Sequence, residues 1–209
     1  MEAGPIVRIY ESRWWRRSRL VTWAIGLSFE EEYELILEAA ELRGSETVLD
    51  LAGGPGIYAR PFARRLPQGR VVDLDLSPGM LAYARRRARE EQLGNLFLVR
   101  GDAGQLPFAP GLFDVVNCCG ALHLFPDVPR TLAEVHRVLR PRGRFTLAAI
   151  RQADGRGDEI VRQIRRRVLG VDAFTPDGLG RALDEAGFAG VAVLHARGIW
   201  LVMSARKPA

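Results

Sequence analysis

The chain has 209 residues, 47% hydrophobic and 26% charged, a length and balance that suit one α/β domain able to bury roughly 70% of its unfolded surface. Its formal net charge is +5, but the basic residues are nearly all arginine, with Lys207 the only lysine. They fall in runs such as 84–90 and 162–168 that read as solvated helix faces without interleaved aromatics, so nucleic acid is not the expected partner.

The opening residues lack the basic-then-apolar order of a secretion signal, and no run of about 18 apolar residues occurs. The expectation is a cytoplasmic protein with no transmembrane segment. Tyr10, Trp14, Leu20 and Trp23 lie near helical spacing with arginines between them. This stretch also has the composition of an interfacial helix, which leaves peripheral membrane contact open. Ser28 followed by Glu31 is a capping box, so a helix begins at Phe29, with Leu35, Ile36, Ala39 and Leu42 on its apolar face and Gly44 at its end.

From Thr47 the pattern alternates between strands and helices. Residues 47–51 form an apolar strand interrupted by Asp50, and the glycine-rich stretch 53–56 leads into a helix over about 57–66. A second strand over 69–77 precedes Ser77-Pro78, a cap with proline at the first helical position, and a helix over 79–92. A third strand spans 96–103 and a fourth 111–119. Residues 127–143 read as a helix closed by Pro141 and Gly143, and 144–150 as a fifth strand. A helix over 157–170, another after Thr175-Pro176, and a hairpin turning near Arg197-Gly198 complete the chain. Such alternation gives a mainly parallel sheet, with the hairpin adding an antiparallel strand at one edge.

Ligands of such sheets bind at the carboxyl ends of the strands. The residues there are Asp50 and Gly53–Gly56, then Asp75, Asp102, and 117–123. Residues 54–59 also fit G-x-G-x-x-A, the dinucleotide pattern. A pyrophosphate, however, is repelled by a carboxylate beside its loop. S-adenosyl-L-methionine (SAM) carries no phosphate; it offers an ammonium, a sulfonium and a ribose diol. Asp50 suits the ammonium. Asp75 stands about twenty residues past the glycines, where an acid reaches the ribose hydroxyls. Asp102 can accept from the adenine amino group while the Ala103 amide donates to a ring nitrogen.

The ordered segments 48–56, 71–85, 101–116, 121–127 and 134–145 resemble the successive motifs of class I SAM-dependent methyltransferases. They are most similar to the group of ubiquinone/menaquinone-biosynthesis C-methyltransferases and small-molecule methyltransferases. The resemblance implies an α/β Rossmann-like sandwich with a seven-stranded sheet in the order 3-2-1-4-5-7-6, strand seven antiparallel. It implies one methyltransferase domain over 1–209: a helical lid at 1–44, a SAM-binding core at 45–150, and substrate-wall helices with the hairpin at 151–209. The cofactor is then SAM and the product S-adenosyl-L-homocysteine. The cofactor contacts carried over are Tyr10, Asp50, Ala52, Gly53, Gly54, Gly56, Asp75, Leu76, Met80, Gly101, Asp102, Ala103 and Cys118. Ala52 stands where many members have glycine, and Cys118-Cys119 where serine or asparagine is more usual.

Methyl transfer from a sulfonium is an in-line displacement, in which the protein orients the acceptor and excludes water. His123 is the candidate general base; His136 and His195 read as structural. Tyr10 is the expected early tyrosine over the cofactor. The adjacent cysteines give no zinc pattern, no metal is expected, and arsenite methylation would need thiols further apart. The stretch after strand four lacks the motif of enzymes that methylate exocyclic amines of nucleic acids. The expected activity is methylation of a small organic acceptor at O, N or C, by a monomer or homodimer. The alternatives are an NAD(P)-dependent oxidoreductase, a SAM-binding protein without turnover, and an RNA methyltransferase.

Overall fold

The computed structural model describes residue 22, residues 25–152 and residues 172–209. The readings on Tyr10, Trp14, Leu20 and Trp23, on most of the lid at 1–44, and on the helix at 157–170 lie outside the described residues.

Helix α1 (Phe29–Ala40) starts where the capping box places it: Ser28 Oγ accepts from Glu31 N, and the Ser28 backbone N–H donates to Glu31 Oε2 at 2.7 Å. It ends earlier than expected, because Glu41 adopts a left-handed conformation (φ 48°) and its N–H returns to Leu37 and Glu38. The buried stripe is Glu32, Ile36, Leu37 and Ala40, turned by about one position from the expected face. Glu46, buried in the following turn, gathers the backbone N–H groups of Arg43, Gly44 and Ser45.

The core then runs β1 (Thr47–Leu51), α2 (Ala59–Arg65), β2 (Arg70–Asp75), α3 (Pro78–Glu90), β3 (Leu96–Arg100), β4 (Phe113–Cys119), a 3₁₀ turn (Leu122–Leu124), α4 (Val128–Val138), β5 (Leu139–Ile150), α5 (Pro176–Glu185), β6 (Ala189–Arg197) and β7 (Trp200–Arg206). Ser77 caps α3 and Thr175 caps α5, each with proline at the first turn. The sheet has the order β3-β2-β1-β4-β5-β7-β6, and β7 is antiparallel to both neighbours. The hairpin's return strand β7 is therefore inserted inside the sheet, and β6 forms the edge.

One expectation is corrected. Pro141 and Gly143 do not close α4; they lie within β5, which begins at Leu139. Leu139 is already extended and pairs with Phe113, after which the register shifts to Val115 opposite Arg144. Arg140, before the proline, is held out of the helical region, and Arg142 at φ 62° makes the bend. Lys207 supplies the helix stop instead: its ammonium donates to the carbonyls of His136 and Leu139, both at 2.8 Å.

The two faces of the sheet bury different sets of residues. Val48, Val71, Val115, Ala148 and Val202 meet α1, α2 and Ala88 of α3; Leu49, Val116, Cys118 and Leu147 meet α4 and α5. Because side chains alternate across each strand, Asp50, Asp73 and Asn117 share the first of these faces.

Candidate functional site

The parallel register brings the polar residues of four strands into one row. Asp50 stands opposite Asp73 of β2 on one side and Asn117 of β4 on the other, and Asn117 stands opposite Thr146 of β5. All four are buried. The Asn117 amide donates to Asp50 Oδ1 at 2.7 Å, and its carbonyl accepts from Thr146 Oγ1 at 2.9 Å and Cys119 Sγ at 3.1 Å. Asp50 Oδ2 and both Asp73 oxygens complete no hydrogen bond of good geometry among the described residues, although the Ala59 backbone N–H is directed at the Asp50 carboxylate.

The glycine turn lies directly on these carboxylates. A Cβ on Gly53 would stand 2.5 Å from Asp73 Oδ1 and 2.7 Å from Asp50 Oδ2, so only glycine fits. Gly54 and Gly56 take φ of 60° and 78°, and Ala52 takes 52°, a left-handed conformation at a residue with a Cβ. Asp75 fastens the turn: Oδ2 accepts from Gly54 N at 3.0 Å and Oδ1 from Ser77 N at 2.7 Å. Beyond it Leu76 is 64% exposed, an apolar side chain left uncovered beside the acid. Met80, half-buried, lies in the first turn of α3.

At the end of β3, Gly101 packs so closely on Leu74 that a Cβ would approach its Cδ1 to 2.9 Å. Asp102 is exposed, with Oδ1 accepting from Gly104 N at 2.8 Å, and Ala103 is buried. Asp50, Ala52, Gly53, Gly54, Gly56, Asp75, Leu76, Met80, Gly101, Asp102 and Ala103 thus all fall at or just past the carboxyl ends of β1, β2 and β3.

Cys118 does not join them through its side chain. Strand alternation turns its thiol to the opposite face, into the core with Leu49 and Leu147, and burial pushes the thiol well up. Cys119 is the cysteine on the Asp50 face, bonded to Asn117. His123 is buried in the 3₁₀ turn, its ring edge-on to Trp200 at 6.3 Å between centroids, and its carbonyl accepts from Asp172 N. His136 packs edge-on against Phe188, and His195 meets the Ile25 carbonyl, both away from the strand ends.

The sequence reading passed over Asp73, and it placed Asn117 at the end of the fourth strand without giving it a role. The signal for Asp73 was present: residues 73 and 75 are two apart on one strand, hence on one face. Burial pushes Asp50 up to about 7. Burial, then the neighbouring Asp50 and Asp75 charges, raises Asp73 well above the usual carboxylate range, with Arg60 opposing weakly.

A crowd of acids under a glycine turn repels a pyrophosphate and suits a cation. The methyltransferase-domain family matches residues 48–143, the segment that holds this turn and the ends of β1 to β4. This segment is similar to the methyltransferase domains of that family. Over 131 residues the chain is 38% identical to a demethylmenaquinone methyltransferase of Thermus thermophilus, covering 62% of this chain and 57% of that one. Over 116 residues it is 40% identical to the ubiquinone/menaquinone biosynthesis C-methyltransferase UbiE of Dinoroseobacter shibae, covering 55% and 46%. The match therefore spans about half the length of these curated relatives. In fold, the chain is similar to the YcgJ protein of Bacillus subtilis, with a TM-score of 0.72 at 22% identity over 86% of this chain and 99% of that one. The cofactor of such a methyltransferase domain is S-adenosyl-L-methionine. The residues fit it: carboxylate oxygens without a completed hydrogen bond stand beneath the turn, and an exposed leucine lies beside Asp75. Among the described residues no group of three or more His, Cys, Asp or Glu could hold a metal ion, and no helix is long and apolar enough to cross a membrane.

Proposed function

We propose that this protein transfers a methyl group from S-adenosyl-L-methionine to a small organic acceptor, with a hydroxylated aromatic ring, a phenol or quinol, as the favoured class. The observation that carries the reading is the set of carboxylates at 50, 73 and 75 gathered around one glycine turn. Bound there, the cofactor would supply a methyl group already activated by its sulfonium charge.

The chain's own residues do the rest. Asp75 orders the turn through Gly54 and Ser77 and keeps acceptor capacity for the ribose hydroxyls. Asp50, oriented by Asn117, faces the amino end. Asp102, Ala103 and Leu76 offer an acceptor, a backbone donor and an apolar surface for the base. On the acceptor side, His123 with Trp200 forms one wall past β4. Tyr33 lies in an aromatic group with Phe29, Tyr58 and Phe62, and burial pushes its hydroxyl up to about 12, so it stays protonated. An acceptor hydroxyl loses its proton during attack, and His123 is the residue proposed to take it. The similarity to demethylmenaquinone methyltransferases supports a ring-bearing acceptor.

The test is transfer of an isotopically labelled methyl group from the cofactor to a panel of phenols, quinols and amines, read by mass spectrometry. Label on a phenol or quinol supports the reading; label only on amines removes the acceptor class. Heat on titration with NADH but none with S-adenosylhomocysteine would remove the methyltransferase reading itself. Tight, salt-sensitive RNA binding with label on RNA would redirect it to RNA methylation.

A further inference from the structure

Asp73 has no task in the chemistry above, yet it is the least expected residue in the fold. It is fully buried in the middle of a parallel sheet, and neither of its oxygens meets a donor among the described residues. Its partner across the register is Asp50, also buried. Asp73 Oδ1 and Asp50 Oδ2 both lie within 2.7 Å of the single point where a Gly53 side chain would begin. Two anions taken out of water side by side, without a cation between them, are strongly unfavourable; one proton held between them removes most of that repulsion.

Among the described residues no other neutralising group is at hand. Leu98 of β3 stands opposite Asp73 on its outer side, and Ala84 of α3 and Gly56 line the turn above. Arg60 of α2 is, among the described residues, the one cation acting on Asp73, and it is engaged with Glu91 and the Gly56 carbonyl. Asp75, on the same face, adds negative charge. Around Asp50, Asn117 of β4 donates to the oxygen away from the turn, the Ala59 backbone N–H at the start of α2 favours the anion, Asp75 opposes it, Cys118 stays neutral, and Tyr33 of α1 is a protonated phenol.

We infer that Asp50 and Asp73 hold one proton between them beneath the glycine turn, and that the cationic amino end of the cofactor expels it on binding. This rests on the SAM reading of the site. The proton passes to solvent and no other bond changes: the pair exchanges a proton for a bound ammonium, so its charge is compensated in both states. Asp73 is then a positioning residue that couples cofactor affinity to pH. With Asp50 titrating near 7, the coupling falls in the neutral range.

The experiment is calorimetric titration of the whole chain with S-adenosylhomocysteine at pH 7, in phosphate and in Tris, whose ionisation heats differ. The difference reads protons released. About half to one proton per bound ligand is expected, with affinity rising by up to about tenfold per unit between pH 6 and 7.5. In Asp73→Asn the release falls below about a third of that and the pH slope flattens. Equal heats in both buffers with wild-type protein overturn the inference while leaving the cofactor reading intact; absence of any binding overturns both. If Asp73→Asn does not fold, carbon NMR of labelled aspartate carboxyls in the free wild-type protein decides. A carboxyl that titrates above pH 6 and shifts on ligand addition supports the pair, and aspartates that all titrate below pH 5 overturn it.

Discussion

Asp50 and Asp73 face each other across adjacent parallel strands, both buried, with Gly53 resting on their oxygens.

Stability falls as pH rises through neutrality. Both acids are raised in the folded chain, so the folded state binds more protons than the unfolded one between about pH 4 and 7. Their stabilising share is complete below the unfolded value and is lost as pH passes the folded one. A loss of about 2–4 kcal/mol is expected for ligand-free protein between pH 5 and 8. Asp73→Asn should remove Asp73's share of it, leave the share that the burial of Asp50 sustains, and be the more stable protein at pH 8. Urea unfolding at several pH values measures this.

Below about pH 4.5 the sign reverses. Burial alone would raise Glu46, but the backbone donors of its turn outweigh burial and lower it; Glu134 is lowered chiefly by its bond to Arg137. These groups contribute stability above the unfolded carboxylate value that disappears as pH falls through the lowered one. The two sets together place the optimum near pH 5. Glu46→Gln should lower the melting temperature by a roughly constant amount above about pH 5 and flatten the acid limb below it, because the neutral side chain loses what the carboxylate contributes at every pH above its lowered value.

Asp75→Ala should weaken S-adenosylhomocysteine binding at least tenfold in calorimetry. It also frees the N–H groups of Gly54 and Ser77, so a loss of about 1–2 kcal/mol in stability should accompany it. Asp75→Asn keeps acceptor oxygen on one side only and should fall between the two.

Gly53→Ala should unfold or severely destabilise the chain, since its methyl group would meet carboxylate oxygens at 2.5 and 2.7 Å. Adding Asp73→Gly should recover part of the loss. Ala52→Gly relieves a left-handed backbone and should raise stability by about 0.5 kcal/mol, the strain relief exceeding the added unfolded-state entropy. Chemical denaturation of the four proteins tests all three statements.

His123→Ala should lower turnover about a hundredfold with an accepted phenol or quinol while changing cofactor affinity less than about threefold. The acceptor assay and calorimetry on the same preparation separate the two effects, and equal losses in both would make His123 a packing residue against Trp200.

Much of the frame was legible because its signals are local. Ser28 with Glu31, Ser77-Pro78 and Thr175-Pro176 each start a helix through the chemistry of a few neighbouring residues. The strand–helix rhythm implied parallel order, and carboxylates at strand ends implied a cationic ligand. The end of α4 was misread because its stop is Lys207, 68 residues beyond the Leu139 carbonyl that it binds. The burial of the Cys118 thiol was not legible because adjacent cysteines differ only in which face the pleat gives them.

The sequence by itself determined the elements, the sheet's mainly parallel character and the acids at its strand ends, because caps, periodicity and turn glycines act within a few residues. Only the tertiary structure decided that Asp73 lies against Asp50, that Asn117 and Thr146 continue the row, and that Gly53 must lack a side chain. Register between strands is set by the packing of whole faces. A contact between residues 23 positions apart on neighbouring strands therefore exists only once the sheet has formed.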